Sequence, residues 1–228
     1  MERHGGSREQ TDIFKERKFK MQVRIDCKNE NEWLQERMKH IGGSDAAKVL
    51  GMSKFGSNVD LYFEKTERKR HHVNNDAIEL GKRAEPVLRD LYAVYHPSVK
   101  IDYHQYTIIY QEDLPMIAST LDGELEDDGR HGILEIKTAS LTKKNQWEEW
   151  KNGIPNHYYI QVLHQMISTG YDFADVFACL TGMNGDHTIR TYRFERHDHI
   201  EDIEWVIEEE TAFWKCVENK TVPPLKIY

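Results

Sequence analysis

The sequence predicts an α/β fold, a central mixed β-sheet with helices on either side of it along the chain. Three observations predict it. β-compatible segments cluster between residues 98 and 140 and again between 174 and 195, and helical spacing of apolar residues governs the stretches before, between and after them. A hairpin signal, Asp128-Gly129, sits near the middle of the chain.

Taken in order, residues 1 to about 22 are polar and aperiodic and read as a flexible extension, with Met21 a candidate natural start. Residues 23–228 then read as a single domain, because 228 residues suit one sizeable core and no repeat or low-complexity linker divides them. "NENEWLQERMKH" is expected to be a short helix with Trp33, Leu34 and Met38 inward, broken at Gly42-Gly43. Ser44 reads as the N-cap of the next helix, with Asp45 in its first turn and Gly51 as its stop. A third helix starts at Ser57 and runs through "NVDLYFEKTE".

The longest N-terminal helix is expected over "DAIELGKRAEPVLRDLYAVYH", with Ile78, Leu88, Leu91, Tyr92 and Tyr95 at helical spacing and Gly81 and Pro86 interrupting it. Strands follow in "SVKIDYHQYTIIYQ" and in both arms of the hairpin. After them come a short helix at "NQWEEWKNG" and a longer one at "NHYYIQVLHQMIST". Strands "ADVFACLTG" and "TIRTYRFE" precede a closing amphipathic helix, "HIEDIEWVIEEETAFWKCVEN", with Ile200, Ile203, Ile207, Phe213, Trp214 and Val217 as its core face.

Hydrophobic residues make up 39% of the chain, no apolar run approaches membrane-spanning length, and "MERHGGSREQ" lacks the apolar core of a secretion signal. A cytoplasmic protein without membrane contact is expected. Cys27, Cys179 and Cys216 are odd in number and far apart, which argues against a disulfide framework and rules out a self-contained four-cysteine cluster. The net charge of −8 is awkward for a partner of nucleic acid, although "KTERKRHH" (65–72) and Lys143-Lys144 are locally basic. Charge alone neither establishes nor excludes DNA.

The hairpin "LDGELEDDGRHGILEIK" (121–137) carries the chemistry. A two-residue turn at Asp128-Gly129 sets Asp122 opposite Glu135 and Thr120 opposite Lys137, so Asp122, Glu135 and Lys137 share one face. Two opposed carboxylates with Cβ atoms roughly 5 Å apart repel unless a cation lies between them. Hard oxygen ligands suit magnesium or manganese, and Lys137 would touch whatever such an ion polarises. A solvated hairpin whose acids happen to align is the plain alternative, and a longer loop would bring Glu124 into competition as a ligand.

An aspartate followed thirteen residues later by "LEIK", in helix–strand–strand–helix order, resembles the PD-(D/E)xK nuclease core, the restriction-endonuclease-like fold. Together "EWLQERMKHIGGSDAAKVLG", "GKRAEPVLRDLY", "STLDG", "LEIK" and "YYIQVLHQMISTG" resemble, in order and spacing, the YqaJ-like viral recombinases, the phage lambda exonuclease family, over about residues 31 to 180. The resemblance implies a magnesium-dependent 5′-to-3′ exonuclease, manganese substituting. Acting on double-stranded DNA ends, it leaves a 3′ single strand for recombination. A homotrimer ring and a phage single-strand annealing protein as partner are implied too.

Carried over by residue, the resemblance implies metal ligation by Asp122, Glu135 and the backbone carbonyl of Ile136. Lys137 would orient or help deprotonate the attacking water, and Glu85 would hold a second ion through water. On its own, Glu85 reads as one more exposed helix glutamate. A pocket for the terminal 5′-phosphate is implied at Arg37, Ser44, Thr120 and Gln161, with Lys54 approaching the DNA end; as residues these are sensible donors to phosphate. Ser44 could equally serve as a helix cap, and Gln161 as a buried or an exposed amide. Leu121 replaces the proline of the motif's name, Thr120 stands where serine is usual, and Glu112 matches an aspartate position of less certain role. His104, His157 and His164 form no metal spacing, and the Trp147–Trp150 pair is expected to anchor a short helix rather than stack on bases. An endonuclease of the same fold would not need the phosphate pocket, and a DNA-binding protein with a decayed site would be expected to have lost one of Asp122, Glu135 and Lys137.

Overall fold

A computed structural model of the protein describes residues 21–67 and 76–227. Residues 1–20 of the expected extension and residues 68–72 of the basic run lie outside them. In chain order the elements are β1 (Gln22–Asp26), α1 (Glu30–Arg37), α2 (Gly43–Val49), α3 (Asn58–Glu67), α4 (Asp76–Tyr95), β2 (Lys100–Asp102), β3 (Thr107–Gln111), β4 (Ala118–Ser119), β5 (Gly123–Asp127), β6 (Arg130–Ser140), α5 (Lys144–Glu149), α6 (Asn156–Thr169), β7 (Phe173–Thr181), β8 (His187–Glu195) and α7 (Ile200–Glu218).

The hairpin forms as the dipeptide demands. Asp128 and Gly129 both take positive φ, 52° and 74°, the backbone of a type I′ turn. Gly123 pairs with Leu134 and Asp127 with Arg130, so the same register sets Asp122 opposite Glu135. β6 is the centre of a five-stranded mixed sheet in the order β2-β5-β6-β7-β8. It runs antiparallel to β5 and parallel to β7, and the crossover between β6 and β7 contains α5 and α6. Residues Gly132 to Ile136 are buried without alternation because both faces of β6 are covered. Ile133, Val176 and Ala178 pack with Ile160, Leu163, Ile203 and Phe213 of α6 and α7. On the other face Leu134, Ile136, Phe173 and Phe177 pack with Leu88 and Tyr92 of α4.

Several expectations are corrected. The β-structure is not one sheet: β1, β3 and β4 form a separate antiparallel sheet with β3 in the middle. The segment "SVKIDYHQYTIIYQ" divides between the two sheets at a bend where Tyr106 takes a φ of 63°. α4 runs unbroken through Gly81 and Pro86. The N–H that Pro86 lacks would have met the Lys82 carbonyl, and both residues lie on the exposed side, where water replaces the bond. Ile78 and Tyr95 are largely exposed rather than core, and Leu80, Val87 and Val94 line the outer face of the same helix. Trp33, Leu34 and Met38 are only half-buried. Ser44 does not cap α2. Gly42 is the N-cap, its N–H donating to Asp45 Oδ2 at 3.3 Å, and Ser44 sits inside the first turn. Lys65, the first residue of the locally basic run, is buried and spent on Asp45 at 2.9 Å.

Other expectations hold. Gly51 follows α2 with φ 75°, and a Cβ there would stand 2.8 Å from the Lys226 backbone. Ser57 caps α3, its Oγ accepting the Asp60 N–H at 3.1 Å while Asp60 Oδ2 accepts the Ser57 N–H at 2.8 Å. Trp150 is buried against Tyr158 and Tyr192 and anchors the end of α5. On α7, Ile203, Ile207 and Phe213 are buried and Ile200, Trp214 and Val217 half-buried. All three cysteines are free. Among the described residues no helix is long and apolar enough to cross a membrane.

Candidate active site

β5 stops pairing at Gly123 while β6 continues to Ser140, which leaves a notch in the sheet beside Glu135, Ile136 and Lys137. Asp122 closes it: its Oδ2 accepts the Ile136 N–H at 2.8 Å. A residue in an extended strand directs its N–H and C=O to the same edge, so the Ile136 carbonyl faces Asp122 as well. Alternation puts Glu135 and Lys137 on the α6 face, where Lys137 Nζ lies 2.6 Å from Glu135 Oε1. Glu135 is only 3% exposed.

Adjacent turns of α6 hold this pair. Gln161 Nε2 donates to Glu135 Oε1 at 2.6 Å while Gln161 Oε1 accepts from Lys137 Nζ at 2.9 Å. Gln165 donates to the other oxygen of Glu135. The ammonium of Lys137 also lies over the Tyr158 ring at 4.6 Å. From the opposite face, α4 supplies Glu85 and Arg89, paired at 2.9 Å. The Arg89 Nε donates to the Asp122 carbonyl at 2.6 Å.

Electrostatics follow from three carboxylates crowded into one notch. Burial first, then Glu135 and Glu85, hold the Asp122 carboxyl well above its usual range. Burial also pushes Glu85 up, with Arg89 pulling it back and Glu135 adding to the rise. Burial would by itself lower Lys137, but Glu135 and Asp122 outweigh it and raise its value, so the ammonium keeps its proton. An excess of negative charge among hard oxygen donors is what a divalent cation relieves.

The residues expected to hold a phosphate stand beside this notch. The Arg37 guanidinium lies 4.6 Å from the Trp33 ring centroid and 3.5 Å from Ser44 Oγ. Trp33 Nε1 donates to Thr120 Oγ1 at 2.8 Å. A Cβ at Gly43 would stand 3.3 Å from Gln161 Cγ, so glycine lets the start of α2 approach α6. Gln161 is therefore common to both groups. Asp45 is half-buried close to them: desolvation favours its neutral form, yet Lys65, Arg37 and Lys48 hold its carboxyl far below the usual range. Lys54 stands apart, exposed and 3.4 Å from Glu149. His157 lies between Lys54 and Lys137, and burial plus those two ammonium groups push it down to about 4.

Residues 32–172 match the YqaJ-like viral recombinase domain family. The chain belongs to that family. The Uncharacterized protein YqaJ of Bacillus subtilis (strain 168) is 29% identical over 186 residues, which is 81% of this chain and 55% of the relative, so the chain spans about half of that protein's length. Among solved structures, the alkaline exonuclease LHK-Exo of Laribacter hongkongensis superposes with a TM-score of 0.59 at 21% identity. The complex of LHK-Exo with dAMP gives 0.63 at 23% identity, and both matches cover 83% of this chain and 93% of theirs. The fold is thus restriction-endonuclease-like, as the YqaJ resemblance implied.

Two readings left open by the sequence are decided at this YqaJ-family site. Glu124 does not compete as a ligand: both its oxygens are gripped by Arg24, at 2.6 and 2.8 Å, and the Tyr171 hydroxyl donates to it as well. His164 is packed, fully buried between Glu210 and the Ala118 carbonyl. Arg89, Gln165 and Tyr158 escaped the sequence reading, which took Trp33 only for an inward residue of α1. Arg89 and Gln165 lie one helical turn beyond Glu85 and Gln161, and that i,i+4 spacing was the available signal.

No three His, Cys, Asp or Glu side chains among the described residues already stand in a metal-enclosing arrangement. Asp122, Glu135 and the Ile136 carbonyl nevertheless fit a hard divalent cation. They are oxygen donors aimed into one notch, and the raised Asp122 value marks unneutralised charge there.

Proposed function

We propose that this YqaJ-family chain is a metal-dependent exodeoxyribonuclease that digests linear duplex DNA from its 5′ ends and leaves 3′ single strands for recombination by strand annealing. One observation carries the proposal: Gln161 bonds both Glu135 and Lys137 while packing on Gly43, beside Ser44 and Arg37. A terminal phosphate gripped by Arg37 would set the next phosphodiester against the carboxylates, which is what removal of end nucleotides requires and internal cutting does not.

Each side chain has a part. The Arg37 fork, stacked on Trp33, neutralises the 5′-phosphate. Thr120 accepts from Trp33 and so keeps its own O–H to donate, beside the hydroxyl of Ser44 and the amide of Gln161. Lys54 is free to swing from Glu149 toward the DNA end, being 62% exposed. Asp122, Glu135 and the Ile136 carbonyl would hold magnesium, with manganese as substitute, and Glu85 a second ion through water. Such an ion supplies Lewis acidity at the scissile phosphate and a lower pKa for water. Lys137, 2.6 Å from Glu135, would orient or help deprotonate the attacking water. Gln161 and Gln165 keep Glu135 from turning away.

The proposal extends to a homotrimer ring that encircles duplex DNA, a single-strand annealing protein as partner and the cytoplasm of a bacterial host. The exposed Leu80, Val87 and Val94 on α4 give subunits an apolar surface to bury. A ring whose lumen is basic and whose exterior is acidic also reconciles DNA binding with a net charge of −8. The deciding experiment offers linear duplexes with a 5′-phosphate or a 5′-hydroxyl, and closed circles, in magnesium or EDTA. Magnesium-dependent release of mononucleotides is expected, faster from phosphorylated ends and nil from circles. Cutting of circles would indicate an endonuclease, and binding without hydrolysis an assembly protein.

A further inference from the structure

Arg89 stands where three segments meet at the notch. Its Nε donates to the Asp122 carbonyl at 2.6 Å, a terminal nitrogen donates to Glu85 Oε1 at 2.9 Å, and its Cζ lies over the Tyr103 ring, 3.6 Å from the centroid. Nε and one terminal nitrogen form one edge of a rigid planar fork, so the two acceptors are held at a set separation. Stacking on Tyr103 fixes the rotation of that plane. The side chain is 13% exposed, so little solvent competes for these donors. Among the described residues no hydrogen bond joins Glu85 and Asp122 directly.

We infer that Arg89 is a positioning residue of the nuclease site, setting where the Glu85 carboxylate stands relative to Asp122, with Tyr103 in turn setting Arg89. This rests on the reading above that Glu85 and Asp122 serve phosphodiester hydrolysis. A helix-surface ion pair would account for Arg89 and Glu85 at i,i+4 spacing. It would not account for Nε committed to the Asp122 backbone, nor for a stacking partner from the segment after β2. Lysine is a poor substitute, because its three donors radiate from one rotating nitrogen and do not hold two acceptors at the fixed separation of the guanidinium edge.

The test compares the full chain with Arg89→Ala, Arg89→Lys, Glu85→Gln and the Arg89→Ala/Glu85→Gln double variant. Steady-state digestion of 5′-phosphorylated duplex is measured in magnesium, and end binding separately by fluorescence anisotropy in EDTA. Both Arg89 variants are expected to lose about ten- to hundred-fold in kcat, the scale of a small misplacement of a reacting group. KM and EDTA binding should stay unchanged, because the phosphate group of residues lies on the other side of the notch. The double variant should be no slower than the slower single variant, since Arg89 acts through Glu85. Tyr103→Leu, which keeps both hydrogen bonds and removes only the stacking, should fold if Arg89→Ala does not, and should lower kcat by a smaller factor. Wild-type kcat in Arg89→Lys, multiplying losses in the double variant, or an effect confined to melting temperature would overturn the inference. A wild-type chain inactive in magnesium would instead refute the nuclease reading beneath it.

Discussion

Replacing Asp122 with asparagine should make the ion-free protein more stable while abolishing its proposed activity. Asp122 stands one position beyond the last β5–β6 pair, on the side of Glu135, and like charges about 5 Å apart at an effective dielectric of about 20 repel by about 3 kcal/mol. Lys137 on Glu135 and Arg89 on the Asp122 carbonyl offset part of this. Asparagine retains an oxygen to accept the Ile136 N–H, so the local bond survives. The net gain should be about 1–2 kcal/mol, which at about 2–4 °C per kcal/mol raises the melting temperature by several degrees. Calorimetric scans of both proteins in EDTA and in magnesium are the assay. Magnesium should stabilise the wild type and close the gap, but leave Asp122→Asn unmoved. The pH dependence has a definite sign. A carboxyl whose folded value is raised binds its proton more tightly than in the unfolded chain, so wild-type stability falls as pH rises from the ordinary aspartate range through the folded value. Asparagine removes that slope. An asparagine variant that melts at or below the wild-type temperature in EDTA would refute the picture of crowded, unneutralised carboxylates.

Three further outcomes follow from other parts of the molecule. Arg37→Ala should erase most of the preference for a 5′-phosphate over a 5′-hydroxyl, a loss of about 1.5–3 kcal/mol for a charged hydrogen bond, read as relative digestion rates of the two ends; an unchanged preference would dismiss the phosphate assignment. Glu210→Ala should cost about 1–3 kcal/mol, because the fully buried His164 loses the hydrogen-bond partner of its Nδ1. Burial alone would lower His164, but Glu210 and the Ala118 carbonyl raise it, so the stability it contributes is full below about pH 6.5 and is lost as pH rises through the folded value. Urea unfolding at acid and alkaline pH should show that slope in the wild type and not in the variant. Gly132→Ala should destabilise by about 1–3 kcal/mol, because the new Cβ would fall 2.3 Å from the Phe173 ring; an unaltered urea midpoint would contradict that packing.

The sequence by itself determined the features whose causes are local. Asp128-Gly129 dictated a turn, the turn dictated a register, and the register opposed Asp122 to Glu135 with Lys137 alongside. Long amphipathic runs located α6 to the residue and α7 nearly so, since their burial needs only one apolar face. The family motifs, read in order, named the fold.

Tertiary structure decided what depends on partners distant in the chain. β1 and β4 are short and exist because β3 offers its edges to both, so nothing within either segment announces a second sheet. Pro86 reads as a break, yet α4 passes through it because packing of Leu88 and Tyr92 on the sheet outweighs one missing bond on a wet surface. Ser44 reads as a cap until the reach of Asp45 back to Gly42 frees it to face Arg37. The bond from Arg89 to the Asp122 carbonyl, and Gln161 joining Lys137 and Glu135 to the start of α2, are contacts across 24 to 118 residues, distances over which a linear pattern carries no signal.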